Sequence, residues 1–361
     1  MNDTRRWDRC ISHRGAETEQ FLADYLSNKG ARVLLIAGIG FDPRSTRVCK
    51  LLSPILGPRL TGLFLREERP EPNRELVECS QRNYEEMVKL VPNFSEERID
   101  IFAPDGAVIS GRNAVRVVHE KSLSDFTDVI IDFSAISIGV GFPLTRLLFD
   151  RVCSASESYN LHLLVTDEPF LDDQVFPIAC DIVDTIHGFK AGLGLFDNTR
   201  AAKLWLPQLI RGRNAVLDKI HSYCRPHDVC PVLPFPASRP RLSDELIEEY
   251  SSEFESIWGV DTRNLIYADE KKPLDLYRTL LQIDDARRPV FAGTGGSMII
   301  LSPVGSKVLA IGALMAALER DFPVAHMESI AYVVDFKAID ANRSRSAEVV
   351  HVWLYGDAYA A

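Results

Sequence analysis

Lys307 is the side chain whose surroundings ask most plainly for a ligand. It closes the run Leu301-Ser302-Pro303-Val304-Gly305-Ser306-Lys307, which ends an apolar stretch and opens the small-residue segment Val308 to Leu318. A strand, a short loop and a helix in that order put unpaired N–H groups and a partial positive charge at the loop. A lysine there is electrostatically misplaced unless an anion sits beside it. One reading supplies a phosphate, as part of a nucleotide or other small ligand, with Ser302 and Ser306 as hydroxyl donors and Gly305 allowing close backbone approach. The other pairs Lys307 with Asp269 or Glu270 at the end of the preceding strand. The run is not a Walker loop, because the residue five before Gly305 is Ile300, inside the strand.

A second set of candidates follows the first strand. Gly38-Ile39-Gly40-Phe41-Asp42-Pro43-Arg44 offers two glycines for a tight turn, and Glu67 and Glu68 follow the second strand, where acids commonly hold ribose hydroxyls. Asp132-Phe133-Ser134 and Asp167-Glu168 end later strands at the edge where doubly wound sheets take ligands. Asp132 could contact a substrate or cap its own turn. With Asp42, these acids could also hold Mg²⁺, although no spacing demands it.

His221, Cys224, His227 and Cys230 recur at every third position and carry zinc-ligand chemistry. Pro226 would end the helix bearing the first two, and Cys230 would begin a buried strand, so zinc is not the expected outcome. No Gly-x-Ser-x-Gly elbow and no Cys/His protease signature is present, which leaves enzymatic activity undecided. His187 is a lone candidate near the expected domain boundary.

These residues must be positioned by alternating strands and helices. Arg32–Ala37, Leu60–Leu65, Arg98–Phe102, Val129–Phe133 and Leu161–Thr166 read as buried strands, with helices at Glu17–Asn28, Asn73–Leu90, Arg112–Lys121 and Pro143–Val152. A Gly-containing run at residues 188–197 interrupts the pattern. A second series then places strands at Leu204–Gln208, Val229–Leu233, Asn264–Ala268, Met298–Leu301 and Val324–Met327. Its helices are Asn214–Tyr223, Ser243–Trp258, Leu274–Ala286 and Gly305–Arg320. Pro231–Pro240 reads as an extended loop. Ala331–Asp335 and Val349–Tyr355 read as late edge strands, and the second is apolar enough to need covering by self-association or a protein partner. Gly-Arg-Asn-Ala-Val occurs at both Gly111–Val115 and Gly212–Val216, each copy expected to open a helix. The fold class is therefore α/β, in two Rossmann-like lobes of mostly parallel sheet, residues 1–187 and 188–361.

Composition agrees. The chain has 361 residues, 46% hydrophobic and 25% charged, which suits two packed domains. A net charge of -10 argues against a coat of nonspecifically bound nucleic acid. Seven widely spread cysteines without a secretory signal point to a reducing cytoplasm. The most apolar stretch, Val129–Phe149, contains Asp132 and Arg146, so no membrane span is expected.

The strand, the Ser302–Lys307 loop and the small-residue helix resemble the ligand-binding end of the CARF family, Rossmann-like sensors of cyclic oligonucleotides in bacterial defence. The run Gly38-x-Gly40-Phe41-Asp42-Pro43-Arg44-Ser45-Thr46 is similar to the other loop those sensors use. The resemblance implies a nucleotide-binding sensor or accessory subunit that binds at a dimer interface. Val33–Ala37 with the Gly38/Gly40 loop also resembles the first motif of carboxyl-methylating S-adenosylmethionine methyltransferases, which implies that cofactor there with Glu67 on its ribose. A catalytically silent protein-binding scaffold is the third expectation.

Overall fold

The computed structural model of the protein describes residues 5–28, 30–70, 72–189, 200–341 and 347–359. Two compact units are present, Met1–Ile178 with Ile330–Ala361, and Ala179–Ser329. The first runs β1 (Ser12–Arg14), α1 (Ala16–Asn28), β2 (Val33–Gly38), α2 (Arg47–Leu56), β3 (Leu60–Glu68), α3 (Arg74–Leu90), β4 (Asn93–Asp100), α4 (Ser110–His119), β5 (Asp128–Asp132), α5 (Ile138–Cys153), β6 (Asn160–Asp167) and α6 (Pro169–Asp172). The chain leaves it within β7 (Val175–Thr185). The second unit holds β8 (Ala202–Pro207), α7 (Asn214–Cys224), β9 (Asp228–Val229), β10 (Val232–Pro234), α8 (Leu242–Glu249), β11 (Ile266–Ala268), α9 (Pro273–Phe291), β12 (Ser297–Ser302) and α10 (Lys307–Arg320). The chain returns within β13 (Ala325–Val334), the partner of β7, and continues through α11 (Phe336–Ala341) and β14 (Glu348–Tyr355).

In the first unit one seven-stranded sheet has the order β1-β14-β6-β5-β2-β3-β4. Strands β2 to β6 are mutually parallel, whereas β14 is antiparallel to β6 and β1 to β14. The parallel part is doubly wound. Its first strand, β2, is central, β3 and β4 lie to one side and β5 and β6 to the other, so the switch point falls between β2 and β5. Every residue of β2, β5 and β6 is buried, as both faces of a helix-covered sheet require. Leu22, Leu26, Val33, Leu35, Val48 and Leu52 meet in one core, each fully buried aliphatic side chain contributing about 1.5–3 kcal/mol.

The second unit repeats the plan. Strands β12, β8 and β9 form one parallel group and β10 and β11 another, linked by a parallel bridge from Gln208 to Val232. A further parallel bridge, Leu301 to Val324, adds the start of the last strand beside β12. The order is thus again doubly wound, with its switch point between β8 and β12. Trp205, Leu217, Ile220, Tyr250 and Ile300 lie in its core.

The α/β class and the parallel sheets agree with the sequence pattern. Several details differ. The expected edge strand Val349–Tyr355 is interior, clasped between β1 and β6, because a run buried on both faces needs ladder partners on both sides. The chain changes unit at 178/179 and again at 329/330, not once at 187/188, and residues 330–361 belong with the first unit. The Gly-containing run that suggested the boundary lies outside the described residues from 190 onward. Val324–Met327 and Ala331–Asp335 are largely one strand, β13. Val229–Leu233 is two short strands parted by Pro231, which lacks the N–H a ladder needs, and the second takes the first part of the expected Pro231–Pro240 loop. The two Gly-Arg-Asn-Ala-Val copies are not equivalent, since Gly111 is inside α4 whereas Gly212 precedes α7 at φ +69°. Among the described residues no helix is long and apolar enough to cross a membrane.

Candidate functional site

The loop after β12 leaves the sheet at the second unit's switch point. Pro207 and Ser302 face each other in register at the carboxyl ends of β8 and β12. Ser306 is the N-cap of α10, its Oγ accepting the N–H of Leu309 at 3.2 Å. Lys307 is the first helical residue, half-buried, and already has an interaction partner within the protein. Of the acids considered for it, Asp269 pairs with Lys272 at 2.9 Å and Glu270 accepts the N–H of Ser238 at 2.5 Å.

Gly305 lies against Gln208, and a Cβ there would stand 3.2 Å from both the Cβ and the Oε1 of that side chain. Gln208 is 3% exposed. Its Nε2 donates to the carbonyl of Leu309 at 3.3 Å, which fixes the amide's orientation, and its Oε1 is buried with no partner. Sequence reasoning passed over Gln208, because a glutamine at a strand end carries no pattern of its own. Ser302 turns away from the loop. It is fully buried, and its Oγ accepts the indole N–H of Trp205 at 2.9 Å, so it supports the core instead of offering a hydroxyl to a ligand.

At the first unit's switch point the loop after β5 packs directly against the two glycines. A Cβ on Gly38 would meet the Ala135 carbonyl oxygen at 2.7 Å, and one on Gly40 would meet the Ala135 Cβ at 2.9 Å. These glycines admit the β5–α5 loop. Asp42 is spent on Arg44, whose Nη2 reaches its Oδ2 at 2.6 Å, while Nη1 reaches Asp172 at 2.7 Å. Burial alone would lower the Arg44 pKa, but the two carboxylates hold it well above the usual arginine value. Glu67 accepts the N–H of Ser137 at the start of α5 at 2.7 Å and pairs with Arg69 at 2.8 Å. Tyr332 covers Phe41 at 5.2 Å and the Arg69 guanidinium at 5.2 Å. Asp132 is buried and accepts the N–H of Ser134 at 2.9 Å, as a turn-capping aspartate does. Asp167 accepts from Arg14 at 2.6 Å.

The His/Cys run is not gathered around a point. Among the described residues no group of three or more His, Cys, Asp or Glu side chains is arranged to hold a metal ion. His221 packs against Trp205 and Trp258, and His227 Nδ1 accepts the N–H of Lys203 at 3.1 Å. Burial pushes the Cys224 thiol up to about 12 and Cys230 up to about 11. His187 is half-buried in the turn after β7.

No protein-family model matches the chain, and no curated protein matches it. Among solved structures it is similar to a functionally unknown protein from Pseudomonas aeruginosa PAO1, at 11% identity over 84% of this chain and 95% of that one, with a TM-score of 0.24. It is also similar to a protein described as a "putative universal stress protein" from Pseudomonas aeruginosa UCBPP-PA14, at 11% identity, the same coverage and a TM-score of 0.23.

Proposed function

We propose that the second unit binds a phosphate-bearing ligand of the nucleotide class at the carboxyl ends of β8 and β12, with the N-terminus of α10 as the anion-binding element. The observation that carries this reading is the position of Ser306 and Lys307, which open a buried 14-residue helix directly after a strand of the switch point. Gly305 lets the loop lie close on the Gln208 side chain. Lys307 supplies charge and Ser306 fixes the helix entry.

The wider biological reading is a sensor or accessory subunit of a bacterial antiviral defence system. It rests on the likeness of the Ser302–Lys307 loop to the CARF ligand loops. Seven cysteines, none of them in a disulfide, support a cytoplasmic site of action.

A thermal-shift series with inorganic phosphate, mononucleotides, cyclic oligonucleotides and S-adenosylmethionine tests the proposal, because a ligand of the folded state raises Tm with the logarithm of its concentration over Kd. A rise with nucleotides, weaker with phosphate, is the expected result. A rise with S-adenosylmethionine alone would overturn it in favour of a methyltransferase, and no rise with any of them would favour a protein-binding scaffold.

A further inference from the structure

Three histidines and an aspartate cross four neighbouring strands of the first unit in a single line. His13 on β1 stands opposite His351 on β14, their Nδ1 atoms 3.1 Å apart. The other ring nitrogen of His351, Nε2, lies 3.0 Å from Nδ1 of His162 on β6. His162 Nε2 points to Oδ1 of Asp128 on β5 at 3.4 Å. The Tyr25 hydroxyl donates to the same Oδ1 at 2.9 Å, and the Thr127 hydroxyl donates to Oδ2 at 2.5 Å. His351, His162 and Asp128 are each at most 1% exposed, while His13 is half-buried at the outer end. Phe21 stacks on His13 and His351, and Trp353 packs on His162, which shields the line. The charged or titratable groups acting on it are Glu17 and Tyr25 from α1, Asp128 from β5, and Asp357, which acts on Tyr25.

The proton inventory of this line is fixed by its contacts. With Asp128 ionised, His162 carries its proton on Nε2, so its Nδ1 must accept. His351 then donates from Nε2 and accepts at Nδ1, and His13 donates from Nδ1. Three neutral rings satisfy all three contacts. One further proton enters at the outer Nε2 of His13 and leaves every contact intact. Successive transfers across the inter-ring contacts carry its charge to His162, beside Asp128, with the two outer rings changing tautomer on the way. A second further proton cannot be placed. Five protons on six ring nitrogens force two N–H groups to face each other at about 3 Å in one inter-ring contact.

We propose that Asp128, His162, His351 and His13 form a one-proton clasp that fastens the antiparallel strands β1 and β14 to the parallel sheet. It holds a single added proton without losing a contact and lets the strands part when a second arrives. Burial, with the neighbouring His162 and His13, holds His351 far below the usual histidine range, in keeping with a ring that resists bearing charge. Hydrogen bonds from His162, Thr127 and Tyr25 outweigh the burial of Asp128 and keep its carboxyl low.

Ring-nitrogen NMR of ¹⁵N-histidine protein, titrated from about pH 8 to about pH 5, reads the proton inventory directly. The three rings together are expected to take up one proton, with both inter-ring N–H resonances retained through that step. Below it, amide exchange in Val349–Tyr355 is expected to accelerate at least about tenfold relative to β2 in the same sample. Independent titration of the three rings, uptake of two protons without strand release, or strand release with the first proton would each overturn the proposal. His351→Phe keeps an aromatic ring and breaks the line; His13 and His162 should then titrate separately. The wild-type titration decides the matter even where that variant does not fold.

Discussion

A Cβ on Gly38 would stand 2.7 Å from the carbonyl oxygen of Ala135. The glycine that ends β2 is therefore required by the loop that follows β5, and the tightest point of the first switch point is a contact of the protein with itself. Because the obstacle is backbone, it cannot swing aside as a side-chain tip would. Gly38→Ala should cost about 1–3 kcal/mol in denaturant unfolding. The nucleotide-induced thermal shift should be kept in that variant, and loss of the shift without loss of stability would return the ligand to the first unit.

Arg44 is 6% exposed and held by two carboxylates. Arg44→Met removes the cation and leaves Asp42 and Asp172 facing each other without it. A loss of about 3–5 kcal/mol is expected, as when one partner of a buried pair is deleted. A change under about 1 kcal/mol by chemical denaturation would mean that water reaches these carboxylates.

Lys307→Ala should abolish most of the nucleotide-induced rise, measured from the variant's own ligand-free melting temperature, which also registers the loss of the lysine's partner within the protein. Binding of a charged group at a helix start is the effect being removed, so added salt should mimic the substitution in part. An undiminished rise in the variant, followed by isothermal titration, would remove Lys307 from the site.

Ser302→Ala leaves the indole N–H of Trp205 buried with no acceptor. The expected cost is about 1–3 kcal/mol, with nucleotide binding retained. Selective loss of binding at unchanged stability would instead make the hydroxyl a ligand contact.

His326 is held down to about 4 by burial and, after it, by the positive charge of Arg213. An unfolded chain protonates this ring at about pH 6.5, so the unfolded state binds the proton first on acidification. Its contribution to stability is complete above about pH 6.5 and is lost as pH falls from there toward 4. Unfolding free energies measured across that interval should show a shallower decline in His326→Gln than in the parent.

The alternating apolar runs made most of both parallel sheets legible, because strands covered on both faces are buried throughout and largely apolar, as in Val33–Gly38. Membership was harder to read than existence. Glu348–Tyr355 has the composition of a strand, but only its pairing with β6 and Ser12–Arg14 reveals its sheet, and such pairings carry no local signal. The second switch-point loop could be found from Gly305, Ser306 and Lys307, whereas Gln208 becomes notable only when its carbonyl oxygen is seen to lack a partner. The Gly38/Gly40 loop shows the converse: the same two glycines would serve a cofactor or a neighbouring loop, and their contact with Ala135, remote in sequence, is visible only in the structure. His13, His162 and His351 are scattered singly along the chain and form a line only through strand register.

The place of β14 sets the order of synthesis against the order of the sheet. When residue 178 leaves the ribosome, β6 has its neighbour on one side and a bare ladder on the other, and all of residues 179–329 must be made before its second partner exists. At roughly 5–20 residues per second that interval is on the order of 10–30 s. Throughout it β6 is an open, largely apolar edge of the nascent first unit, the kind of edge that pairs with other chains unless it is covered.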